Sequence, residues 1–351
     1  MSLRVIVCYT GGVGSEVVRQ VLKAPDLELV GVLVHSVEKE GRDVGELVGV
    51  APIGLKSTRD VSALLALRAD VMAWHGLRWV PEVVAEFLRG GTSVYSGIGG
   101  WYLPTQPEYR LLQQAAIQGG STLIAGGNIP GLISDVLPLF CSGYSRDIRL
   151  IRCMQRNHIP HYPSALQMGQ YLGIGQPMPE RPFDPGAEPG EIDRLWMWGI
   201  AQSAALVAQG LGITLDELRL TNKEFGAARS ERLLQPSGLR VPKGSVAGVR
   251  WTFTAFSGGR PFYELSNEQT TRLDIGPGWR DSEQLPNWRV VIEGSPTIQC
   301  ELGLLADPAA PDHVAALNAA RALNFLPRLA AAAPGWRSVL DVPAPVGRPV
   351  L

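Results

Sequence analysis

No apolar stretch in this chain approaches the ~18–20 residues that a membrane-spanning helix needs, so insertion into a bilayer is not expected. Neither sign of charge is in excess: 32 Lys and Arg stand against 33 Asp and Glu, a net charge of −1. That balance argues against a nucleic-acid footprint or a polybasic membrane patch. Cysteine is scarce. The four residues (Cys8, Cys141, Cys153 and Cys300) form no C-x-x-C pair, and three lie within apolar runs. They read as reduced core residues of a cytoplasmic protein. His158 and His161 are close together, but no further ligands accompany them at suitable spacing, so no metal site is expected. The first strand is read to begin at Leu3 or Arg4, so no signal peptide is expected. There is no internal repeat and no extended low-complexity segment. What is present is ordinary for a globular enzyme: 351 residues, 45% hydrophobic and 19% charged, long enough for two domains and a large core.

The most informative segment is the first. Val5, Ile6, Val7 and Cys8 make a short continuous apolar run, as a parallel strand covered on both faces requires. Thr10-Gly11-Gly12-Val13-Gly14 follows, and Val17, Val18, Val21 and Leu22 then recur at helical spacing. A strand feeding a helix through glycines lets backbone N–H groups approach a pyrophosphate at the helix N-terminus. Tyr9 stands where the first glycine of G-x-G-x-x-G would be, while Gly11 and Gly14 keep the second half of the motif. A glycine turn with no ligand is the alternative, and the placement between strand and helix favours a dinucleotide.

Strand and helix patterns alternate through about residue 140, as in a doubly wound parallel sheet. Leu27–Val34, Asp70–Trp74, Ser93–Ile98 and Ser121–Ala125 read as strands. Ser57-Thr58 are expected to cap a short helix, and Pro81 and Pro107 to open two longer ones. A different rhythm follows. Asp147–Asn157 reads as a long strand, Ser164 as the start of a helix, and Glu191–Gly212 as an amphipathic helix. Thr214-x-x-Glu217 reads as the capping box of another. From Val246 the pattern becomes β, with a hairpin turn at Gly258-Gly259 and further strands in RVVIEG and TIQCELGL. Pro311 is expected to open a last long helix, ahead of an extended tail. The fold class is therefore α/β: a Rossmann domain with a second α+β domain built on an open mixed or antiparallel sheet. Residues 1–140 are assigned to dinucleotide binding and 141–310 to substrate binding and dimerisation. Residues 311–351 are assigned to a helix and tail that return to the first domain. One face of the open sheet, over Val246–Phe256 and Arg289–Leu302, reads as too apolar for solvent, so a homodimer is expected.

Cofactor preference is read after the second strand. NAD-selective sites place an acid there for the ribose hydroxyls. Val34-His35-Ser36-Val37-Glu38-Lys39 has none at the immediate strand end. Ser36 can bond a 2′-phosphate, and Lys39 or Arg42 can pair with its charge, although both also suit a solvated run. NADP(H), with NAD(H) tolerated, is the expectation. His75 and Gly76 are expected to pass under the cofactor, or else to form a turn without ligand contact.

Several segments together resemble one family, the dihydrodipicolinate reductase-like oxidoreductases that include 2,4-diaminopentanoate dehydrogenase and the native NAD(P)-dependent amine dehydrogenases. They are TGGVG at Thr10–Gly14, LELVGVLVHS with GRDVGEL within Leu27–Leu47, GGNIPGLISDVLPL at Gly126–Leu139, YLGIGQP at Tyr171–Pro177, and ARALNFLPRLAAAAPGWRSVLDVPAP near the end. Their order and spread over nearly the whole chain make the resemblance specific. It implies a nicotinamide cofactor in the first domain, a dimer contact through the open sheet, and a substrate between the domains. Dihydrodipicolinate reductase itself fits poorly. In Arg156-Asn157-His158-Ile159-Pro160-His161-Tyr162-Pro163-Ser164-Ala165 the Pro-Ser survives, but the lysine and the Gly-Thr turn are gone.

The amine dehydrogenases resemble the chain better, and the residue matching their single pocket carboxylate is Glu108. The resemblance implies that Glu108 stabilises an iminium and moves a proton. Its position at a helix start equally suits a simple dipole partner. Asn128 is expected to orient the nicotinamide carboxamide or the substrate nitrogen, unless it is only a left-handed turn residue. Trp101, Tyr102, His158, His161, Tyr162 and Tyr171 are candidate pocket residues, each with a structural role as its alternative. The expected reaction is reversible reductive amination of a small ketone or aldehyde with ammonia. Oxidation of a diamino acid, another imine or carbonyl reduction, and a nicotinamide-binding protein without turnover are the alternatives.

Overall fold

Val5 to Cys8 are wholly buried because both faces of their sheet are covered. They end β1 (Leu3–Cys8), which leads through Tyr9–Gly11 into α1 (Gly12–Lys23). The computed structural model describes residues 2–272, 275, 279, 287–305 and 312–348. The chain continues through β2 (Leu27–Leu33), α2 (Val44–Leu47), α3 (Val61–Ala66), β3 (Val71–Trp74), α4 (Pro81–Arg89), β4 (Ser93–Ser96), α5 (Tyr109–Gly119) and β5 (Thr122–Ala125). It then forms α6 (Leu137–Ser142), β6 (Arg146–His158), α7 (Glu191–Leu211), β7 (Glu217–Ala227), the short pair β8 (Arg232–Leu233) and β9 (Arg240–Val241), β10 (Val246–Ser257), β11 (Arg260–Thr270), β12 (Asn287–Ser295) and β13 (Ile298–Gly303). α8 (His313–Ala331) and β14 (Gly335–Trp336) complete it. Two compact units result: Met1–Leu132 with Asp307–Leu351, and Ile133–Ala306.

The first unit is a parallel sheet in the order β14-β5-β4-β3-β1-β2. Alternation along β1 sends Val5 and Val7 towards α1 and α8, where they meet Val17, Val18, Ala319, Ala322, Phe325 and Leu326. Ile6 and Cys8 go to the opposite face, with Leu64, Val84, Phe87, Leu88, Leu112 and Ala116 of α3, α4 and α5. Each such fully buried aliphatic or phenyl side chain contributes about 1.5–3 kcal/mol. β14 is stitched to this unit by Trp336, whose backbone N–H donates to Gln113 Oε1 (2.7 Å) and whose indole donates to the Gly100 carbonyl (2.9 Å).

The second unit is a mixed sheet, β13-β12-β6-β11-β10-β7, in which only β6 and β11 run parallel. Gly258 and Gly259 join β10 to β11 with φ of +56° and +70°, as a two-residue turn with left-handed backbone at both positions requires. Val249, Trp251 and Phe253 share a buried face with Ile151, Cys153, Tyr263, Leu265, Val290 and Ile292. This face is covered from within the chain. Trp251 donates to Asp193 of α7 (2.9 Å) and packs against Trp196, and Tyr263 donates to the Ser134 carbonyl (2.8 Å). The opposite face is polar. Arg156 pairs with Glu268 (2.9 Å), Arg250 with Glu224 (2.6 Å) and with Glu268, Arg152 with Glu264 (3.6 Å) and Glu293, and Arg289 with Glu301 (3.0 Å). The apolar face read from the sequence is therefore spent on α6 and α7, and the face left over is charged.

Four local expectations are corrected. Thr214-x-x-Glu217 caps no helix, because Glu217 begins β7, which pairs along β10. Thr214 and Asp216 serve the neighbouring hairpin instead, accepting from Ser257 Oγ (2.8 Å) and Gly259 N (2.9 Å). Asp60, not Ser57-Thr58, caps α3, accepting from Ser62 N (2.8 Å) and Ala63 N (3.2 Å), while Thr58 bonds alongside β2. Pro107 precedes α5 by two residues, and Glu108 occupies the cap position. The helix expected at Ser164 shrinks to a short turn ending in the π-helical Gln167–Tyr171. Pro311 lies outside the described residues.

Candidate active site

The C-terminal ends of β1, β3, β4 and β5 lie along one edge, and the strand order reverses between β1 and β3, where open α/β sheets bind ligands. At Gly14 an added Cβ would lie 1.8 Å from the Tyr9 carbonyl oxygen, so only glycine lets α1 start this close to the strand it follows. At Gly11 a Cβ would meet nothing within 4 Å, and this open space faces the start of α1. The helix has no side-chain cap and no acid in its first turn. With Gly12, Val13 and Gly14 forming that turn, its unpaired N–H groups fit the pyrophosphate of a dinucleotide.

Thr10 is buried, and both its carbonyl (2.9 Å) and its hydroxyl (3.0 Å) accept from Lys39 Nζ. Lys39 is thus folded onto the glycine turn. The exposed carboxylate of Glu38 is held below its ordinary range chiefly by its own backbone N–H, and then by the Ser36 hydroxyl. Arg42 is exposed, and His35 is exposed with its carbonyl accepting from Arg59 Nε (3.1 Å). Arg59 also lies beside Glu40 (3.7 Å) and was not anticipated, since a cation after an unrelated turn gives no local signal.

His75 and Gly76 follow β3. The His75 backbone N–H donates to the Cys8 carbonyl, and its ring lies 6.0 Å from that of Tyr95. Its Nε2 has no hydrogen-bond partner among the described residues, and burial pushes its pKa down to about 4, so the ring is neutral at working pH. Gly76 faces the Tyr9 ring, where a Cβ would come within 2.8 Å.

Glu108 does not cap its own helix. Its Oε1 accepts from the Trp79 indole N–H (2.9 Å), and Oε2 has no partner among the described residues. One carboxylate oxygen is thereby fixed, and the other is free to take a proton or bind a cation. Trp79 was missed because it is 29 residues away in sequence. Trp101 is buried, and the Tyr102 ring packs edge-on against Trp336 (5.6 Å). Asn128 Oδ1 accepts from Asn318 of α8 (3.3 Å), which ties the loop after β5 to that helix.

In the second unit His161, Tyr162 and Tyr171 are exposed. His158 is half-buried, with Nε2 unpartnered among the described residues and its pKa lowered chiefly by burial. An unanticipated row of buried amides crosses the inner sheet face: Gln155, Asn157, Asn267 and Gln269. Trp288 donates to Asn157 Oδ1 (3.0 Å) and Gln269 donates to Asn267 Oδ1 (2.7 Å), while Asn267 Nδ2 has no partner among the described residues. Strand alternation was legible here, but which face these amides share depends on register.

Residues 3–73 match the dihydrodipicolinate reductase N-terminus, and residues 132–348 match the 2,4-diaminopentanoate dehydrogenase C-terminal domain. An amine dehydrogenase of Streptomyces virginiae is 30% identical over 96% of this chain and 95% of its own length. The 2,4-diaminopentanoate dehydrogenase of Acetoanaerobium sticklandii is 20% identical over 98% of this chain and 94% of its own. In fold, the chain matches an amine dehydrogenase structure from Mycobacterium smegmatis with a TM-score of 0.77, at 19% identity, covering 100% of this chain and 99% of that one. The chain therefore belongs to the dihydrodipicolinate reductase-like oxidoreductases, with 2,4-diaminopentanoate dehydrogenase and amine dehydrogenase, and is a nicotinamide-dependent enzyme of CH–NH2 groups.

Proposed function

We propose that the protein catalyses reversible reductive amination of a small ketone or aldehyde with ammonia, using NADP(H) in preference to NAD(H). The observation that carries the reading is Glu108, a carboxylate oriented by Trp79 with one oxygen unengaged. The nicotinamide, when bound, supplies or accepts the hydride. The residues do the rest. The amide groups at the start of α1 hold the pyrophosphate, and neutral His75 offers an uncharged hydrogen-bonding nitrogen beside the β1/β3 crevice. Glu108 holds ammonia against the carbonyl carbon and takes a proton as the C–N bond forms; it returns that proton to the resulting hydroxyl, which leaves as water as the C–O bond breaks, and the regenerated carboxylate stabilises the cationic iminium until it is reduced. In deamination it accepts a proton from the water that attacks the iminium.

Ser36, Lys39, Arg42 and Arg59 supply donors around a 2′-phosphate, against the opposing charges of Glu38 and Glu40; this supports the preference for the phosphorylated cofactor. The protein is further proposed to be a cytoplasmic homodimer; no helix among the described residues is long and apolar enough to cross a membrane. A second reading, a diamino acid substrate, is favoured by the match of residues 132–348 to the 2,4-diaminopentanoate dehydrogenase C-terminal domain. The test is a panel of ketones, aldehydes and amino acids with ammonia, following reduced-nicotinamide absorbance with NADPH and NADH in parallel. Ammonia-dependent NADPH oxidation with a simple ketone supports the first reading, and turnover confined to diamino acids supports the second. Cofactor binding without any turnover overturns both.

A further inference from the structure

Three of the four cysteines, scattered in sequence, converge in the second unit. Register places Cys153 of β6 opposite Val290 of β12, and Val290 opposite Cys300 of β13, all on the inner face. α6 packs across β6 and β12 and ends near Cys141. Cys300 lies close enough to Cys141 to help raise the pKa of its thiol, after burial itself. Cys153 is differently placed: it is buried, and burial raises its pKa. Cys300 is half-buried on β13, the outermost strand of its sheet, and is the thiol of this group that small molecules reach most readily.

We propose that Cys141 and Cys300 are a redox-modification site, oxidised by low-molecular-weight disulfides to a bond that clips α6 to the edge strand. The Cys300 thiolate attacks one sulfur of the small disulfide, forming a mixed disulfide and expelling one small thiolate. Cys141 then loses its proton to solvent and attacks the Cys300 sulfur, expelling the second. Two protein thiols are oxidised by two electrons, and one small disulfide is reduced to two thiols. Burial, with the neighbouring Cys300, raises the Cys141 pKa, which assigns it the resolving step. The bond closes a loop containing nearly the whole second sheet, so it removes much of the unfolded chain's freedom. It also fastens the outermost strand of the sheet, which pairs with β12.

The experiment equilibrates the full-length protein with excess oxidised glutathione, blocks remaining thiols, and maps the digested peptides by mass. The expected result is a Cys141–Cys300 peptide pair, two hydrogens lighter and reversed by dithiothreitol, with a melting temperature raised by several degrees. Cys300→Ser, with folding checked by circular dichroism, should lose both the cross-link and the rise. The wild-type peptide map decides the matter even where the variant misfolds. Four free thiols after equilibration, a stable glutathione adduct on Cys300 without a cross-link, or a bond through Cys153 or Cys8 would each overturn the proposal.

Discussion

Glu108 is where a single functional group separates catalysis from helix architecture. At the cap position of α5 it makes no capping bond, and the Trp79 indole holds it instead. Glu108→Gln keeps the shape and removes the charge and the proton acceptor. Turnover should fall roughly 10²–10⁴-fold, with NADPH affinity within a few-fold of wild type. Unchanged turnover with a slight loss of stability would leave it a dipole partner only. Trp79→Phe should lower kcat about tenfold through lost orientation while leaving cofactor affinity alone. His75 gives a pH signature of a different kind. Its folded pKa of about 4 lies below the ordinary 6.5, so the unfolded chain binds its proton first as pH falls. Stability should be full above pH 6.5 and decline towards pH 4, by up to about 3 kcal/mol. Melting curves across that range for wild type and His75→Gln check it; equal slopes would remove His75 as the cause.

Among the elements, the turn from β1 into α1 tolerates little change. Gly14→Ala would drive a methyl into the Tyr9 carbonyl, a backbone atom that cannot swing aside. The expected outcome is loss of NADPH binding together with a drop of several degrees in melting temperature, measured by titration and calorimetry. Gly11→Ala, which meets open space, should leave stability intact while impairing binding. Both would be misjudged if the two variants behaved alike. This element was legible because its signal is local: an apolar run, glycines, then helical spacing. Elements decided by partners were less so. Thr214-x-x-Glu217 carried a capping-box signature, yet β10 pairs with ten residues of Glu217–Ala227, and pairing overrode the cap. The same holds at the site. Glu108 was proposed through resemblance, whereas Trp79, Arg59, Asn318 and the amide row meet their partners only through tertiary folding, and no spacing in the sequence encodes those contacts.

At the scale of the whole molecule, the question is what meets the second face of the mixed sheet. An apolar surface was expected to drive association, but those side chains are already buried beneath α6 and α7. The remaining face carries separate ion-pair groups: Arg289 with Glu301, Arg152 with Glu264 and Glu293, and Arg250 with Glu224 and Glu268. Arg152 keeps nearly half of its side chain exposed, and such solvated pairs contribute little to folding by themselves. A dimer built on this face would exchange those pairs between copies, and its strength would then depend on screening in a way that an apolar contact does not. Light scattering at micromolar concentration should give twice the 37.9 kDa chain mass at low salt, shifting towards the monomer as salt rises. Arg152→Glu, which places like charges opposite Glu264 and Glu293, should produce the same shift without added salt. A monomer under all conditions removes the dimer. A dimer indifferent to both salt and Arg152→Glu places its contact elsewhere on the molecule.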